Sequence, residues 1–99
     1  MAMTYNIHGE LVEIDGLEFI VDWATRRINI FETIPSVLER AKCMWQRIES
    51  CVPNNTLELI DMCDWLDDNI QGYYARVGFD DLLFSSEVDA LAFKLRWVN

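Results

Sequence analysis

The sequence predicts an α+β fold. An antiparallel sheet of three to four strands, an amino-terminal meander plus one later strand, carries three helices packed on one face. Two observations support this prediction. Apolar and polar residues alternate over 11–31, and apolar residues then recur every three or four positions over 34–70; both patterns return before the end of the chain. A chain of 99 residues has room for one hydrophobic core, so we expect a single domain spanning 1–99.

The amino-terminal third predicts the meander. The dipeptide Asp15-Gly16 separates two alternating runs and favours the positive φ angles of a two-residue type I′ turn. The second run, 17–23, places Leu17, Phe19, Val21 and Trp23 on one face of a half-buried strand. Residues 27–31 are rich in isoleucine and phenylalanine and predict a third strand.

Two helices are predicted next. The first begins at Pro35, where a missing N–H costs no hydrogen bond; it has Ser36 and Glu39 at capping-box spacing and ends near 50–52, before Pro53. The second covers 54–70, with a capping residue among its first three positions. A connection this short predicts that the two helices pack as an antiparallel pair. The predicted buried stripe of the second helix consists of Leu59, Ile60, Cys63, Leu66 and Ile70.

A later strand and a third helix complete the predicted fold. Residues 73–79 alternate and predict a strand that joins the amino-terminal sheet, with a turn or bulge at 80–81 before the apolar run 82–84. Ser86 and Asp89 then stand at capping-box spacing for a short helix. The predicted buried stripe of this helix consists of Val88, Leu91, Ala92 and Leu95.

The chain is strongly acidic. Seventeen Asp and Glu against eight Lys and Arg give a net charge of −9, which repels nucleic-acid phosphates and anionic membrane surfaces. We therefore expect no direct binding to nucleic acid or membrane. The absence of an apolar run of roughly 18 residues and of a signal-peptide pattern predicts a cytoplasmic protein, which lies in the host cytoplasm if the chain is viral. Three cysteines without C-x-x-C spacing indicate neither a disulfide framework nor a zinc site.

Residue types that commonly perform catalysis are scarce. Nucleophilic catalysis usually needs a histidine base, and His8 is the single histidine. The four glycines stand far apart, so no glycine-rich phosphate loop is present. We expect no enzymatic activity, no cofactor and no metal site.

The second predicted helix carries the most distinctive chemistry. Its acidic residues recur every three or four positions, and 54–75 contain no Lys or Arg to relieve their repulsion. A row of carboxylates resembles the charge pattern of a nucleic-acid backbone, so we interpret it as a surface for an electropositive, nucleic-acid-processing protein. A tryptophan among these acids is a candidate aromatic anchor. The candidate partner-binding residues are Glu58, Asp61, Asp64, Trp65, Asp67, Asp68, Asp80 and Asp81.

The carboxyl-terminal stretch 84–97, with the sequence Phe-Ser-Ser-Glu-Val-Asp-Ala-Leu-Ala-Phe-Lys-Leu-Arg-Trp, resembles the ending of small uncharacterised acidic bacteriophage proteins. The resemblance covers about a seventh of the chain and matches no functional residue. It implies a strand leading into a capped helix. Small acidic phage proteins often resemble host-takeover or anti-defence inhibitors that occupy nucleic-acid-binding surfaces.

The leading functional hypothesis is a small acidic protein-binding module. It would act as a viral inhibitor or modulator that occludes a basic nucleic-acid-binding surface of a host protein. An immunity or antitoxin-like inhibitor of a basic nuclease would use the same electrostatics. A hypothesis of a different class is a structural or assembly subunit that self-associates, for example as a homodimer, through Trp45, Tyr73 or Trp97. Salt separates these classes, because it weakens a charged interface and leaves an aromatic one intact.

Overall fold

The computed structural model describes residues 9–98, which form an α+β structure and confirm the predicted fold class. None of the helices in this part of the chain is both long and apolar enough to cross a membrane. The elements follow in the order β1 (Gly9–Ile14), β2 (Leu17–Asp22), α1 (Pro35–Met44), β3 (Gln46–Ile48), α2 (Thr56–Asn69), β4 (Tyr74–Val77), β5 (Asp81–Phe84) and α3 (Glu87–Trp97).

Strands β1 and β2 form an antiparallel hairpin with Ile14 opposite Leu17. Between them, Asp15 has φ 54° and Gly16 has φ 80°, which confirms the predicted two-residue turn. The Asp15 carboxylate also accepts a hydrogen bond of 2.9 Å from the indole Nε1 of Trp45. The turn is therefore tied to the end of α1.

The predicted third strand over 27–31 does not form. Isolated bridges occur at its first two residues, and the chain then turns. The Asn29 side chain causes this turn, because its oxygen accepts hydrogen bonds from the backbone N–H groups of Phe31 and Glu32. Side-chain bonding to the following backbone competes with strand pairing. The predicted meander therefore stops at two strands. Trp23, predicted for the buried face of the second strand, is 51 % exposed, because β2 ends at Asp22 and the chain turns at Ala24, which has φ 59°.

Helix α1 begins at Pro35 as predicted, but no side chain caps its amino terminus. The capping box predicted for Ser36 and Glu39 is therefore wrong. The helix ends at Met44 instead of near 50–52, because the residues that follow form β3 and pair with β5. Helical spacing does not reveal the early end of α1, because Trp45, just after the helix, is buried as it would also be if the helix continued.

Strands β3, β5 and β4 form a second antiparallel sheet, with β5 in the centre. The three residues Leu82, Leu83 and Phe84 of β5 are at most 1 % exposed. A strand that is apolar on both faces needs a central position in a covered sheet. The prediction that residues 73–79 extend the amino-terminal sheet is therefore wrong, because β4 pairs with β5.

The two faces of this central sheet contribute to different core clusters. The face with Tyr74 and Leu82 packs against α2 and α3, whereas the face with Ala75 and Leu83 packs against the β1–β2 hairpin and α1. The predictions of one sheet with all three helices on one face, and of an antiparallel α1–α2 pair, are corrected accordingly. The physical reason is that a sheet buried on both faces requires a covering layer on each side.

Helix α3 is capped as predicted, but it buries the opposite side. Ser86 Oγ accepts a hydrogen bond of 3.3 Å from the backbone N–H of Asp89. The core-facing residues include Ala90 and Phe93, and the ring of Phe93 lies 5.3 Å from that of Phe84. The predicted buried stripe points to solvent, since its members are all exposed: Val88, Leu91, Ala92 and Leu95. Periodicity was misleading here because α3 is apolar on two sides.

Candidate protein-binding surface

Helix α2 begins at a side-chain cap and is oriented by its apolar residues. The Asn55 side chain accepts hydrogen bonds from the backbone N–H groups of Leu57 and Glu58, as the sequence predicts for this segment. Met62 lies in the core between α2 and the sheet. Ile60 was predicted for this buried stripe but is 49 % exposed, so Met62 takes its place. This orientation turns the acidic residues outward.

Four carboxylates of α2 are exposed, and we call Glu58, Asp61, Asp64 and Asp68 the acidic stripe. At about 100° per residue, the three aspartates fall within about 60° of one another on the side opposite the core. Glu58 lies on the flank of this group. Leu57 is in line with the three aspartates and is 74 % exposed, so an apolar side chain accompanies the charges. The structure thus brings together half of the predicted partner-binding residues.

No basic side chain among residues 9–98 forms an ion pair with the acidic stripe. Arg76, the basic residue that follows α2, donates hydrogen bonds of 3.0 and 2.8 Å to the carbonyl oxygen of Phe79. The last turn of α2 contains no basic residue, although negative charge there opposes the helix dipole. The ion pairs in the described range are Arg27–Asp22, Lys42–Glu39 and Arg47–Asp81.

Two predicted partner-binding residues of α2 are occupied within the fold. Asp67 accepts a hydrogen bond of 3.1 Å from the backbone N–H of Arg26, which fixes the segment after β2 against the helix. Trp65 is half-buried and packs against the core, where its ring makes an edge contact with Phe93 at a centroid distance of 6.3 Å. These two side chains connect α2 to neighbouring parts of the fold, and little of their surface is available to a partner.

The remaining predicted pair, Asp80-Asp81, lies away from the acidic stripe. Strand register places Asp81 opposite Val77, on the sheet face that packs against the hairpin and α1. The Asp81 carboxylate accepts hydrogen bonds from the Ser50 backbone N–H and the Arg47 guanidinium, which lower its pKa below the ordinary value. The carbonyl of Asp80 accepts two backbone hydrogen bonds from the segment after β3. The Asp81 carboxylate therefore joins the start of β5 to β3 and the residues that follow it.

Two titratable groups outside the stripe are held neutral by burial. Burial raises the pKa of the Cys51 thiol to about 11 and that of the Tyr74 phenol above its usual range.

The single histidine, His8, lies outside the described residues. Within 9–98, no three His, Cys, Asp or Glu side chains are grouped so that they could hold a metal ion. What this surface offers chemically is fixed negative charge.

A groove of ≈ 430 Å³ beside β4 was missed by sequence reasoning. Phe31 and Phe79 line it and are 93 % and 88 % exposed, although alternation had placed both in strands. The available signals were the neighbouring turn residues: Asn29, and Gly78 with φ 61°. Both phenylalanines lie in turns, where alternation of apolar and polar residues does not indicate which side chains are buried.

The aromatic residues predicted for self-association are largely used inside the fold. Trp45 is 8 % exposed, and its ring lies 4.9 Å from that of Phe19. Tyr73 and Trp97 are half-buried and pack against the two core clusters. These rings therefore contribute little apolar area to the surface.

The chain matches no protein-family model, no curated protein and no solved structure at a significant level. The resemblance of residues 84–97 to small phage proteins stays a prediction.

Proposed function

We propose that the protein is a small acidic protein-binding module whose acidic stripe docks on an electropositive protein surface that otherwise holds nucleic acid. In the specific form suggested by the phage resemblance, it inhibits or modulates a host nucleic-acid-processing enzyme in the host cytoplasm by occlusion. The observation that supports the proposal is that the four exposed carboxylates of α2 have no cationic partner within residues 9–98.

Charge spacing supports a surface built for nucleic-acid-binding proteins. Successive members of the acidic stripe are three or four residues apart, which separates them by about 4.5 to 6 Å along the helix axis. Phosphates along one strand of duplex DNA advance by about 3.4 Å each. The two charge repeats are of the same order, so a groove lined with Lys and Arg would meet several carboxylates at once.

The apolar side chains beside the charges favour a protein as the partner. Leu57 lies in line with the stripe, and Ile60 lies on its flank, with 74 % and 49 % of their surfaces exposed. An apolar centre surrounded by a polar rim is the usual arrangement of a protein–protein interface. The charges would then set the approach and orientation of the partner.

The test compares two triple variants with the same net charge. The first, Asp61→Asn/Asp64→Asn/Asp68→Asn, neutralises the stripe; the second, Glu10→Gln/Glu13→Gln/Glu18→Gln, neutralises three exposed carboxylates of the hairpin. At about 0.5–1 kcal/mol per exposed charge pair, the first variant should bind a captured partner about 10- to 100-fold more weakly in low salt. The hairpin variant should bind as the unmodified chain does.

The assay has two stages. Immobilised chain first captures proteins from a bacterial lysate at low salt; each captured protein is then purified, and its binding to labelled duplex DNA is measured by fluorescence anisotropy. We expect the chain to displace the DNA, and this effect to weaken at high salt because screening shortens the reach of exposed charges. Equal loss of binding in both triple variants, or simultaneous binding of chain and DNA, contradicts the proposal. Displacement of a substrate from a nuclease would point to the immunity-like form of the same mechanism.

A further inference from the structure

Helix α3 presents a continuous apolar stripe to solvent, although its other side is buried in the core. Val88 is 73 % exposed, Leu91 58 % and Leu95 75 %, and the small Ala92 is exposed beside them. The spacing of three and four residues aligns these side chains over two turns of the helix. Contiguous exposed apolar surface of this kind marks interaction sites in soluble proteins.

We propose that this stripe is the interface of a homodimer in which the α3 helices of two copies pack antiparallel about a twofold axis. The first argument is electrostatic. The acidic stripe of α2 lacks a cationic partner, whereas α3 carries Glu87 and buried Asp89 near its start and Lys94 and Arg96 in its last turn. Two copies of an acidic chain repel each other least where the local charge cancels.

The second argument comes from the flanks of the stripe, and it selects the antiparallel orientation. Glu87 and Lys94 are seven residues apart, so they lie on the same flank, and Arg96 lies on the other. In an antiparallel pair, each flank meets the same flank of the partner, which brings Glu87 of one copy near Lys94 of the other, twice. A parallel pair would instead set Lys94 near the partner's Arg96, with an offset of only two residues along the axis.

The register is consistent with this pairing. A twofold axis midway between Val88 and Leu95 places these two residues side by side in the dimer, with Leu91 and Ala92 at the centre. Glu87 is then offset from the level of the partner's Lys94 by two residues, which is about 3 Å along the axis. A lysine side chain spans that offset, so apolar contact and charge pairing occur together, as an isologous interface requires. The dimer does not depend on the proposed function of the acidic stripe.

Mass measurement over a range of concentrations tests the interface. Sedimentation velocity of the full chain from about 1 μM to 1 mM should show a monomer–dimer equilibrium that persists in 0.5 M salt. Leu91→Gln should weaken dimerisation at least 10-fold, whereas the control Leu57→Gln, at a leucine of α2 that is also mostly exposed, should leave it unchanged. A chain that is monomeric throughout, or equal effects of the two variants, would overturn the proposal.

Charge reversal tests the orientation. Glu87→Lys alone and Lys94→Glu alone should each weaken the dimer several-fold in low salt, and the double variant should restore it. The direction of the change in dimer affinity for Glu87→Lys is informative. This variant reduces the net negative charge from −9 to −7, and a weaker overall repulsion between copies would by itself strengthen association. Strengthening in that variant, or a double variant as weak as the single ones, would refute the antiparallel pairing.

Discussion

The Asp89 carboxylate is the most deeply buried charge-bearing group in the described chain, and its removal offers a sharp test of the fold. Asp89 is 3 % exposed and accepts hydrogen bonds of 3.0 and 2.7 Å from the backbone N–H groups of Gln71 and Gly72. It therefore holds the end of α2 to the first turn of α3. The backbone N–H of Asp89 donates a hydrogen bond to Ser86 Oγ, so both the backbone and the carboxylate of this residue are held in place.

The expected cost of Asp89→Asn follows from these two bonds. Hydrogen bonds to charged groups contribute about 1.5–3 kcal/mol each, and the asparagine keeps one acceptor oxygen while directing an NH₂ group at a backbone N–H. We expect a loss of about 3 kcal/mol in the free energy of unfolding. For a domain of this size, such a loss lowers Tm by roughly 12–24 °C.

Urea denaturation followed by tryptophan fluorescence at pH 7 measures this loss, with an unchanged slope indicating an unchanged folded state. The control is Glu87→Gln in the same helical turn, which removes a carboxylate that is exposed. Both variants are measured at a chain concentration where the protein is monomeric, so the proposed pairing of Glu87 with a second copy does not contribute. Any interaction with the helix dipole is common to both variants, so the difference between them reports the two hydrogen bonds. A loss of less than 0.5 kcal/mol for Asp89→Asn would refute the assigned role of the carboxylate.

Three further predictions concern the acidic stripe, a thiol and an ion pair. Asp68→Lys should stabilise the fold by about 0.3–1 kcal/mol, because it removes negative charge from the carboxyl end of α2, while weakening partner binding; thermal denaturation and the capture assay measure the two effects. In the Cys43→Ser/Cys63→Ser background, Cys51 should react with a thiol reagent at pH 8 about 100-fold more slowly than an ordinary cysteine of pKa 9.0, because its pKa of about 11 leaves that much less thiolate. The pKa of Asp81 is lower in the folded chain than its ordinary value of 3.8, so its stabilising effect is complete above that value and is lost as the pH falls through the lower one. Acid unfolding of Asp81→Asn should lack this component, and a carboxyl titration by NMR that shows no lowered pKa would contradict the pairing with Arg47.

Local signals in the sequence predicted the elements whose geometry depends on neighbouring residues. Asp15-Gly16 specifies positive φ at two successive positions, and Asn55 and Ser86 each supply a side-chain acceptor at a helix start. These features need no knowledge of the tertiary fold. Helical spacing also predicted the outward positions of Glu58, Asp61, Asp64 and Asp68, although it placed Ile60 in the buried stripe where the structure has Met62.

The errors arose where tertiary contacts choose between equally good local patterns. Ile48 in β3 and Val52 beyond it stand at helical spacing from Trp45, and pairing with β5 decides in favour of a strand. Asp67 and Asp81 look like free surface acids in the sequence, yet each is bound by a donor far away along the chain, Arg26 and Arg47 respectively. No local rule reveals such partners.

Helix α3 shows how one ambiguity bears on function. Its two apolar sides are nearly equal as hydrophobic stripes, and the contacts of Phe93 with Phe84 and Trp65 determine which side faces the core. The other side, with Val88, Leu91 and Leu95, faces solvent, where apolar side chains do not stabilise a monomer. It lies in the same layer as the acidic side of α2, so the outer surface of this layer combines a charged helix with an apolar one. If the apolar helix joins two copies, the dimer carries two acidic stripes, and a partner with two basic sites would bind it more tightly than either stripe alone because the second contact is intramolecular.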